Sequence, residues 1–160
     1  MNDKFVPATD FKIMSGGQTG ADRAGLDWAI GHGFAHGGWC PKGRRSEDGT
    51  IDSGYLLLET PTANYLQRTE WNVRDSDVTL IFTLVEKLDG GSKRTADFAE
   101  RLGRPWLHVH PRVHPKYVAR FLAKHKVKTV NIAGKRESSA PGISAWIMGF
   151  LDSVVENPGS

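Results

Sequence analysis

The chain contains one cysteine, Cys40, among its 160 residues. A single thiol excludes an internal disulfide, and a structural zinc site would have to rely on histidine and carboxylate ligands. No segment approaches the roughly 18 consecutive apolar residues that a membrane-spanning helix requires, and the first residues lack the apolar run of a signal peptide. We therefore expect a cytoplasmic protein.

No strong excess of charge of either sign is present. The 21 basic and 18 acidic residues leave a net charge of +3. This charge is compatible with binding anionic small molecules, but it falls short of the clustered positive charge of a dedicated nucleic-acid binder. Basic residues nevertheless follow three predicted strands, at Lys42 to Arg45, at Lys93 and Arg94, and at Lys135 and Arg136. If those strands are parallel, all three loops reach one edge of the sheet and favour a ligand that bears a phosphate.

Strand and helix patterns alternate along the chain. Strands are predicted near Phe11 to Met14, Phe34 to Trp39, Tyr55 to Leu58, Val78 to Leu84, Trp106 to Val109 and Val130 to Ala133, and helices from Ala21, over Tyr65 to Asp75, from Thr95 to Leu102, around Tyr117 to Leu122 and from Ile143 to Val154. This alternation predicts a Rossmann-like, doubly wound α/β fold with a mainly parallel sheet and helices on both faces.

Length and connectivity add two expectations. A chain of 160 residues has the size of one domain, so we expect a single domain over 1–160 with flexible ends near 1–8 and 157–160. In the usual 3-2-1-4-5 strand order, the first strand and the Val78 strand are neighbours at the point where the winding reverses. The glycine-containing turns after these two strands would then meet in one crevice.

The turn after the first strand has the layout of an anion site. Gly16 and Gly17 allow a tight turn directly before the helix that begins near Ala21, and the first N–H groups of a helix lack internal partners. The spacing matches neither G-x-G-x-x-G nor the P-loop. It therefore predicts a phosphate or carboxylate site, or else only a tight strand-to-helix turn.

Several blocks in a fixed order carry a family resemblance. They are Ser15–Asp22, Gly38–Arg44, Glu47–Gly49, Arg68 with Thr69, Asn72 with Val73, Asp75–Asp77 and Gly90–Thr95. In these blocks the chain resembles the molybdenum-cofactor carrier family and, more distantly, the Rossmann-like superfamily of the LOG phosphoribohydrolases and DprA proteins. The resemblance implies a soluble oligomer that holds the molybdenum cofactor, a phosphorylated pterin, as cargo before its insertion into molybdoenzymes.

Thirteen residues form the predicted binding site for this cofactor. They are Gly16, Gly17, Gln18, Thr19, Gly20, Asp22, Lys42, Arg44, Gly90, Gly91, Ser92, Lys93 and Thr95. The cofactor phosphate is expected against the N–H groups of Gly17 to Ala21, with lysine or arginine supplying charge-assisted hydrogen bonds. Asp22 either caps the helix or holds a ribose or pterin donor.

Other interpretations remain open at the level of sequence. A sensor of a nucleotide-derived ligand such as ADP-ribose would use the same turns. A LOG-type hydrolase would need the glutamate of a G-G-x-G-T-x-x-E turn, which is missing after Gly90 and Gly91; Asp97 is a poor substitute if it faces solvent in an i,i+4 pair with Arg101. We therefore expect a binding protein without catalytic residues.

A few further side chains each allow a functional and a structural interpretation. Glu47 and Asp48 are acid–base candidates or simply a turn. Cys40 is a thiolate ligand for molybdenum or a small core residue, and His108, His110 and His114 have metal-ligand spacing but are better explained as core or surface histidines. Five tryptophans and seven phenylalanines are many for one small core, so we expect a homodimer or homotetramer.

Overall fold

The computed structural model describes residues 3–157. The strands are β1 Lys12–Met14, β2 Ala35–Gly37, β3 Trp39–Cys40, β4 Arg45–Ser46, β5 Gly49–Thr50, β6 Leu58–Glu59, β7 Val78–Phe82, β8 Trp106–Val109 and β9 Thr129–Gly134. The helices are α1 Ala21–Gly31, α2 Tyr65–Arg74, α3 Gly90–Leu102, α4 Pro115–Lys124 and α5 Ile143–Val154.

A five-stranded parallel sheet forms the centre of the fold. Its strand order is β2-β1-β9-β7-β8, and every neighbouring pair is parallel. All five residues of β7 are buried, as expected for an inner strand covered on both faces. Helix α5 packs against α1 and α4, while α2 packs against α3, so helices flank the sheet in two groups. The predicted Rossmann-like α/β fold is confirmed.

The strand order differs from the expected one at the centre of the sheet. The first strand, β1, does not pair with β7, because β9 lies between them, with Met14 opposite Asn131 on one side and Phe82 opposite Gly134 on the other. The final strand of the chain therefore takes the central position. This placement could not be read from the apolar pattern, since a buried strand has the same pattern wherever it sits in the sheet.

The segment between β2 and α2 forms two small sheets rather than one continuous strand. Residues Phe34 to Trp39 divide into β2, in the main sheet, and β3, which pairs with β6. Strands β4 and β5 form an antiparallel hairpin. Arg44 holds the following segment, because its guanidinium donates to the carbonyls of Ile51, Asp52, Tyr55 and Leu57 at 2.7–3.3 Å.

The N-terminal segment is anchored where flexibility was expected. Phe5 is 8% exposed and forms a parallel bridge with Val155. Its N–H donates to Val154 O at 2.7 Å, and its carbonyl accepts from Glu156 N at 2.8 Å. Phe5 therefore buries its ring in the core within the segment 1–8, where flexibility is predicted. Residues 1–2 and 158–160 lie outside the described residues.

Candidate ligand-binding site

A cavity of about 300 Å³ lies at the carboxyl ends of β1, β9 and β7. Four segments form it: the turn after β1, helix α2, the first turns of α3, and β9 with the loop that follows. The lining residues are Gly16, Gln18, Asp22, Arg68, Thr69, Asn72, Gly91, Ser92, Thr95, Asn131, Ile132, Ala133, Gly134, Lys135, Arg136 and Ser139. Such a crevice at the carboxyl edge of a parallel sheet is where Rossmann-like folds bind ligands.

The turn after β1 and the start of α3 both contribute to the wall of this cavity. Gly16 and Gln18 line one side, and Gly91 and Ser92 line another. They meet across β9 rather than across two adjacent strands, because β9 separates β1 from β7. The loop after β9, with Lys135 and Arg136, consequently forms the wall between the two glycine-containing turns.

The N–H groups before α1 are largely engaged within the protein. Gln18 N donates to Asp22 Oδ2 at 3.3 Å and Thr19 N to Gln18 Oε1 at 3.1 Å. Ala21 N donates to Lys135 O at 3.0 Å, and Gly17 N to Ser15 Oγ at 3.4 Å. Four of the five N–H groups from Gly17 to Ala21 therefore already have acceptors in the described part of the protein, which disfavours the predicted position of the phosphate there.

The N–H groups at the N-terminus of α3, unlike most of those before α1, are left without acceptors in the part of the chain that the structure describes. Within the described residues, no acceptor is found for the N–H groups of Gly90, Gly91 and Ser92, and the first internal bond runs from Lys93 N to Asp89 O at 3.2 Å. Asp89 occupies the N-cap position without a side-chain capping bond, because its carboxylate pairs with Lys135 Nζ. Unpaired N–H groups and the helix dipole at such an end favour an anion.

The Ser92 hydroxyl is the second unusual feature at this end of α3. Ser92 is 3% exposed and lines the cavity, yet its Oγ has no hydrogen-bond partner among the described residues. A buried hydroxyl without a partner costs free energy, on the order of 1–3 kcal/mol. Such a group calls for an explanation, and a ligand oxygen in the cavity would provide one.

Asp22 and Arg68 form a buried ion pair in the opposite wall. Arg68 Nη1 lies 3.2 Å from Asp22 Oδ2, and the two side chains are 12% and 11% exposed. The same nitrogen donates to Gly16 O at 3.1 Å. Burial raises the pKa of Asp22, an effect that the Arg68 charge and the Gln18 N–H partly oppose. The pair places a carboxylate and a guanidinium side by side on the cavity wall.

The cations near the cavity differ in how they are engaged. Arg68 is held by Asp22 and Gly16, and Lys135 is paired with Asp89. Arg136 is exposed and has no carboxylate within ion-pair distance in the described part of the chain. The wall around the start of α3 therefore carries net positive charge from Arg136 in addition to the helix dipole, because the Asp89 carboxylate offsets the charge of Lys135.

The structure does not bring every predicted site residue to the cavity. Gly16, Gln18, Asp22, Gly91, Ser92 and Thr95 line it, whereas Gly17, Thr19, Gly20, Lys42, Arg44, Gly90 and Lys93 do not. Arg44 serves the loop before β6 instead. Lys93 pairs with Asp97 at 3.4 Å, so the expected pair between Asp97 and Arg101 is wrong; Arg101 pairs with Glu70.

Glu47 and Asp48 hold the β4–β5 hairpin against the loops around the cavity. Glu47 accepts from Thr19 Oγ1 and from Ser138 N and Oγ, and these bonds lower its pKa. The Arg23 guanidinium lies 2.6 Å from Asp48 and lowers the pKa of that carboxyl to about 2. Neither carboxylate lines the cavity, which favours the structural reading.

The positions of Cys40 and the histidines do not favour the hypothesis that they bind a metal. Cys40 is fully buried, and burial raises the pKa of its thiol, so it packs as a small core residue. His108 Nε2 lies 2.7 Å from Thr83 Oγ1, and His114 Nδ1 accepts from Lys116 N at the start of α4. Over residues 3–157, no three histidine, cysteine or carboxylate side chains are grouped as metal ligands.

Fold and cavity together define a Rossmann-like α/β protein with a polar crevice at the carboxyl ends of its strands. Residues 13–155 match the model of the Circularly permutated YpsA SLOG family. The chain therefore belongs to that family.

A solved structure supports the same assignment. The chain is similar to a crystal structure from Syntrophus aciditrophicus SB named "Putative molybdenum carrier protein", at 44% sequence identity and a TM-score of 0.87. The match covers 94% of this chain and 97% of the other. No curated protein matched. Among residues 3–157, no helix is long and apolar enough to cross a membrane.

Proposed function

We propose that this protein binds and carries a small phosphorylated ligand of the molybdenum-cofactor type, with its phosphate at the N-terminus of α3. One observation carries the proposal: the buried, unpartnered Ser92 hydroxyl lies beside unpaired N–H groups in a polar cavity. The name of the similar Syntrophus protein supports molybdenum-related cargo. Molybdoenzymes would receive that cargo.

A nucleotide-derived ligand is the second candidate, because the same anion site would hold a nucleotide phosphate. The cavity of about 300 Å³ lies at the small end of the range of roughly 300–1,000 Å³ typical of ligand sites. It therefore suits a mononucleotide better than ADP-ribose, with its two nucleoside-like halves. Among the described residues, Asp22 is the carboxylate that lines it. Because Arg68 and Gln18 engage Asp22, we favour binding over hydrolysis.

Native mass spectrometry of the freshly purified protein tests this proposal. We expect an adduct that denaturation releases and whose mass corresponds to a phosphorylated pterin. The Ser92→Asp variant, purified in the same way, should carry little of it. A nucleotide mass would support the second candidate, and an adduct retained in full by the variant would contradict the site.

We also propose self-association to a homodimer or homotetramer, which the family resemblance supports but the aromatic side chains do not. No tryptophan or phenylalanine is among the exposed large apolar side chains of the described chain. Four of the nine exposed ones, Leu56, Leu58, Tyr65 and Leu66, fall within residues 56–66. This segment is the proposed contact between copies of the chain, and sedimentation equilibrium of the Leu56→Ser/Leu58→Ser variant against the parent protein tests it. We expect the parent to exceed the monomer mass of 17.6 kDa and the variant to approach it.

A further inference from the structure

The chemistry of the cavity wall restricts which part of a ligand can be enclosed. No aromatic side chain is among the described residues that line the cavity, and Ile132 and Ala133 are the apolar side chains there. Sites for flat heteroaromatic rings usually offer hydrophobic or aromatic surface for stacking. The cavity lacks such a surface, so a pterin or purine ring would gain little by entering it.

The wall instead offers hydrogen-bonding groups, some of which are already used. Asn72 is satisfied, since its Oδ1 accepts from Trp39 N at 2.8 Å and its Nδ2 donates to Trp39 O at 2.9 Å. Gln18 Oε1 accepts from Thr19 N and Glu47 N, which leaves its Nε2 donors. These Nε2 donors, the Ser92 hydroxyl and the Asp22 carboxylate therefore have capacity left for a ligand, in addition to the unpaired N–H groups of α3 and the Arg136 guanidinium.

Asp22 is an acceptor with spare capacity. The bonds from Gln18 N and Arg68 Nη1 both go to Oδ2, and the Gly16 N–H also helps to lower the pKa of this carboxyl. A carboxylate offers about four lone-pair sites, so Oδ1 can still accept a hydroxyl proton. Because Asp22 is 8% exposed and lines the cavity, a donor that reaches it must come from inside the cavity.

The cavity combines a hydrogen-bond acceptor, an amide donor and a site for an anion. A phosphorylated polyol has hydroxyl groups and a phosphate that would bind to these three groups. A sugar hydroxyl can donate to Asp22 while it accepts from Gln18 Nε2, and its phosphate would lie at Gly91 and Ser92. We propose that the cavity encloses a sugar phosphate moiety and that any aromatic ring attached to it stays at the mouth. This inference rests on the proposed phosphate site. Of the two candidate ligands it favours the nucleotide-derived one, because a nucleotide carries its phosphate on a sugar, whereas the pterin candidate carries none.

Calorimetric titration with four probes tests the inference. The probes are ribose 5-phosphate, ribose, inorganic phosphate and AMP. We expect ribose 5-phosphate to bind at least tenfold more tightly than inorganic phosphate and within about threefold of AMP. Ribose alone should bind weakly, because it lacks the anion.

Three variants separate the two ends of the cavity. Asp22→Asn should lose about tenfold in affinity for ribose 5-phosphate. Its affinity for inorganic phosphate should stay the same or rise, because Arg68 loses its carboxylate partner, and retained phosphate binding also verifies that the variant is folded. Ser92→Ala should weaken all phosphorylated probes. The control is Asp97→Asn, since Asp97 is exposed and pairs with Lys93 outside the cavity; it should match the parent protein.

Each possible failure has a separate meaning. AMP binding more than thirtyfold tighter than ribose 5-phosphate would overturn this inference, because the ring would then be enclosed, while the phosphate site would stand. Equal affinities for ribose 5-phosphate and inorganic phosphate would also overturn it. If no phosphorylated probe binds, or if Ser92→Ala changes none of them, the proposed phosphate site itself is wrong.

Discussion

Replacing Gly20 with alanine is expected to lower the free energy of unfolding by about 2–6 kcal/mol. Gly20 has φ 79° and ψ −126°, a region that is essentially restricted to glycine and costs another residue on the order of 1–3 kcal/mol. A Cβ at this position would lie 2.4 Å from Lys135 O and 2.6 Å from Glu137 N. Both are backbone atoms that cannot swing away, so overpacking adds about 1–3 kcal/mol.

The matched control is Gly33→Ala. Gly33 also has a positive φ, 75°, but a Cβ there would have no atom within 4 Å, so only the backbone strain of about 1–2 kcal/mol is expected. Urea unfolding of both variants, at unchanged m-value, gives the difference. Equal losses would mean that the turn before α1 does not approach the loop after β9 as closely as described.

Replacing Ser92 with aspartate is expected to weaken AMP binding by at least 100-fold. The substitution removes the hydroxyl and places a negative charge where the phosphate is proposed to lie. Losing a hydrogen bond to a charged group costs about 1.5–3 kcal/mol. Repulsion between like charges about 4 Å apart is worth roughly 4 kcal/mol at an effective dielectric constant near 20. Either effect alone would weaken binding by about tenfold or more.

The stability of this variant is measured together with its binding, because Ser92 is 3% exposed and a carboxylate is costly to bury at such a position. Residue 92 lies in the first turn of α3, where the helix dipole favours a carboxylate by about 0.3–1 kcal/mol. Equilibrium dialysis with AMP measures the loss, and Lys93→Ala is the control, because Lys93 does not line the cavity. AMP affinity in Ser92→Asp within threefold of the parent, together with an unchanged unfolding midpoint, would contradict the site.

The sequence predicts the fold well because its signals are local. The apolar run of β7 and the stripe of α5 gave elements close to those observed, and the alternation of strands and helices gave the parallel sheet. The position of β9 in the sheet could not be predicted in this way. It depends on which strands β9 pairs with, and nothing in the local pattern from Thr129 to Gly134 specifies its neighbours.

The site could be predicted only in part, for a related reason. Glycine turns mark where the chain approaches a crevice, but not which N–H groups remain unpaired there. Lys135 O satisfies Ala21 N across more than a hundred residues of sequence, and no periodicity reveals such a contact. Likewise, Arg44 and Arg68 are both arginines near the expected site, yet tertiary contacts direct Arg44 to loop carbonyls and Arg68 to Asp22.

A crystal structure of the protein grown with AMP is the most direct measurement of where the phosphate binds. We expect the phosphate at the N-terminus of α3, with an oxygen within hydrogen-bond distance of Ser92 Oγ and of the Gly91 N–H. The ribose should lie toward Asp22 and the adenine at the mouth of the cavity. A phosphate at the N-terminus of α1, or at the loop from Lys42 to Arg45, would contradict the proposed site.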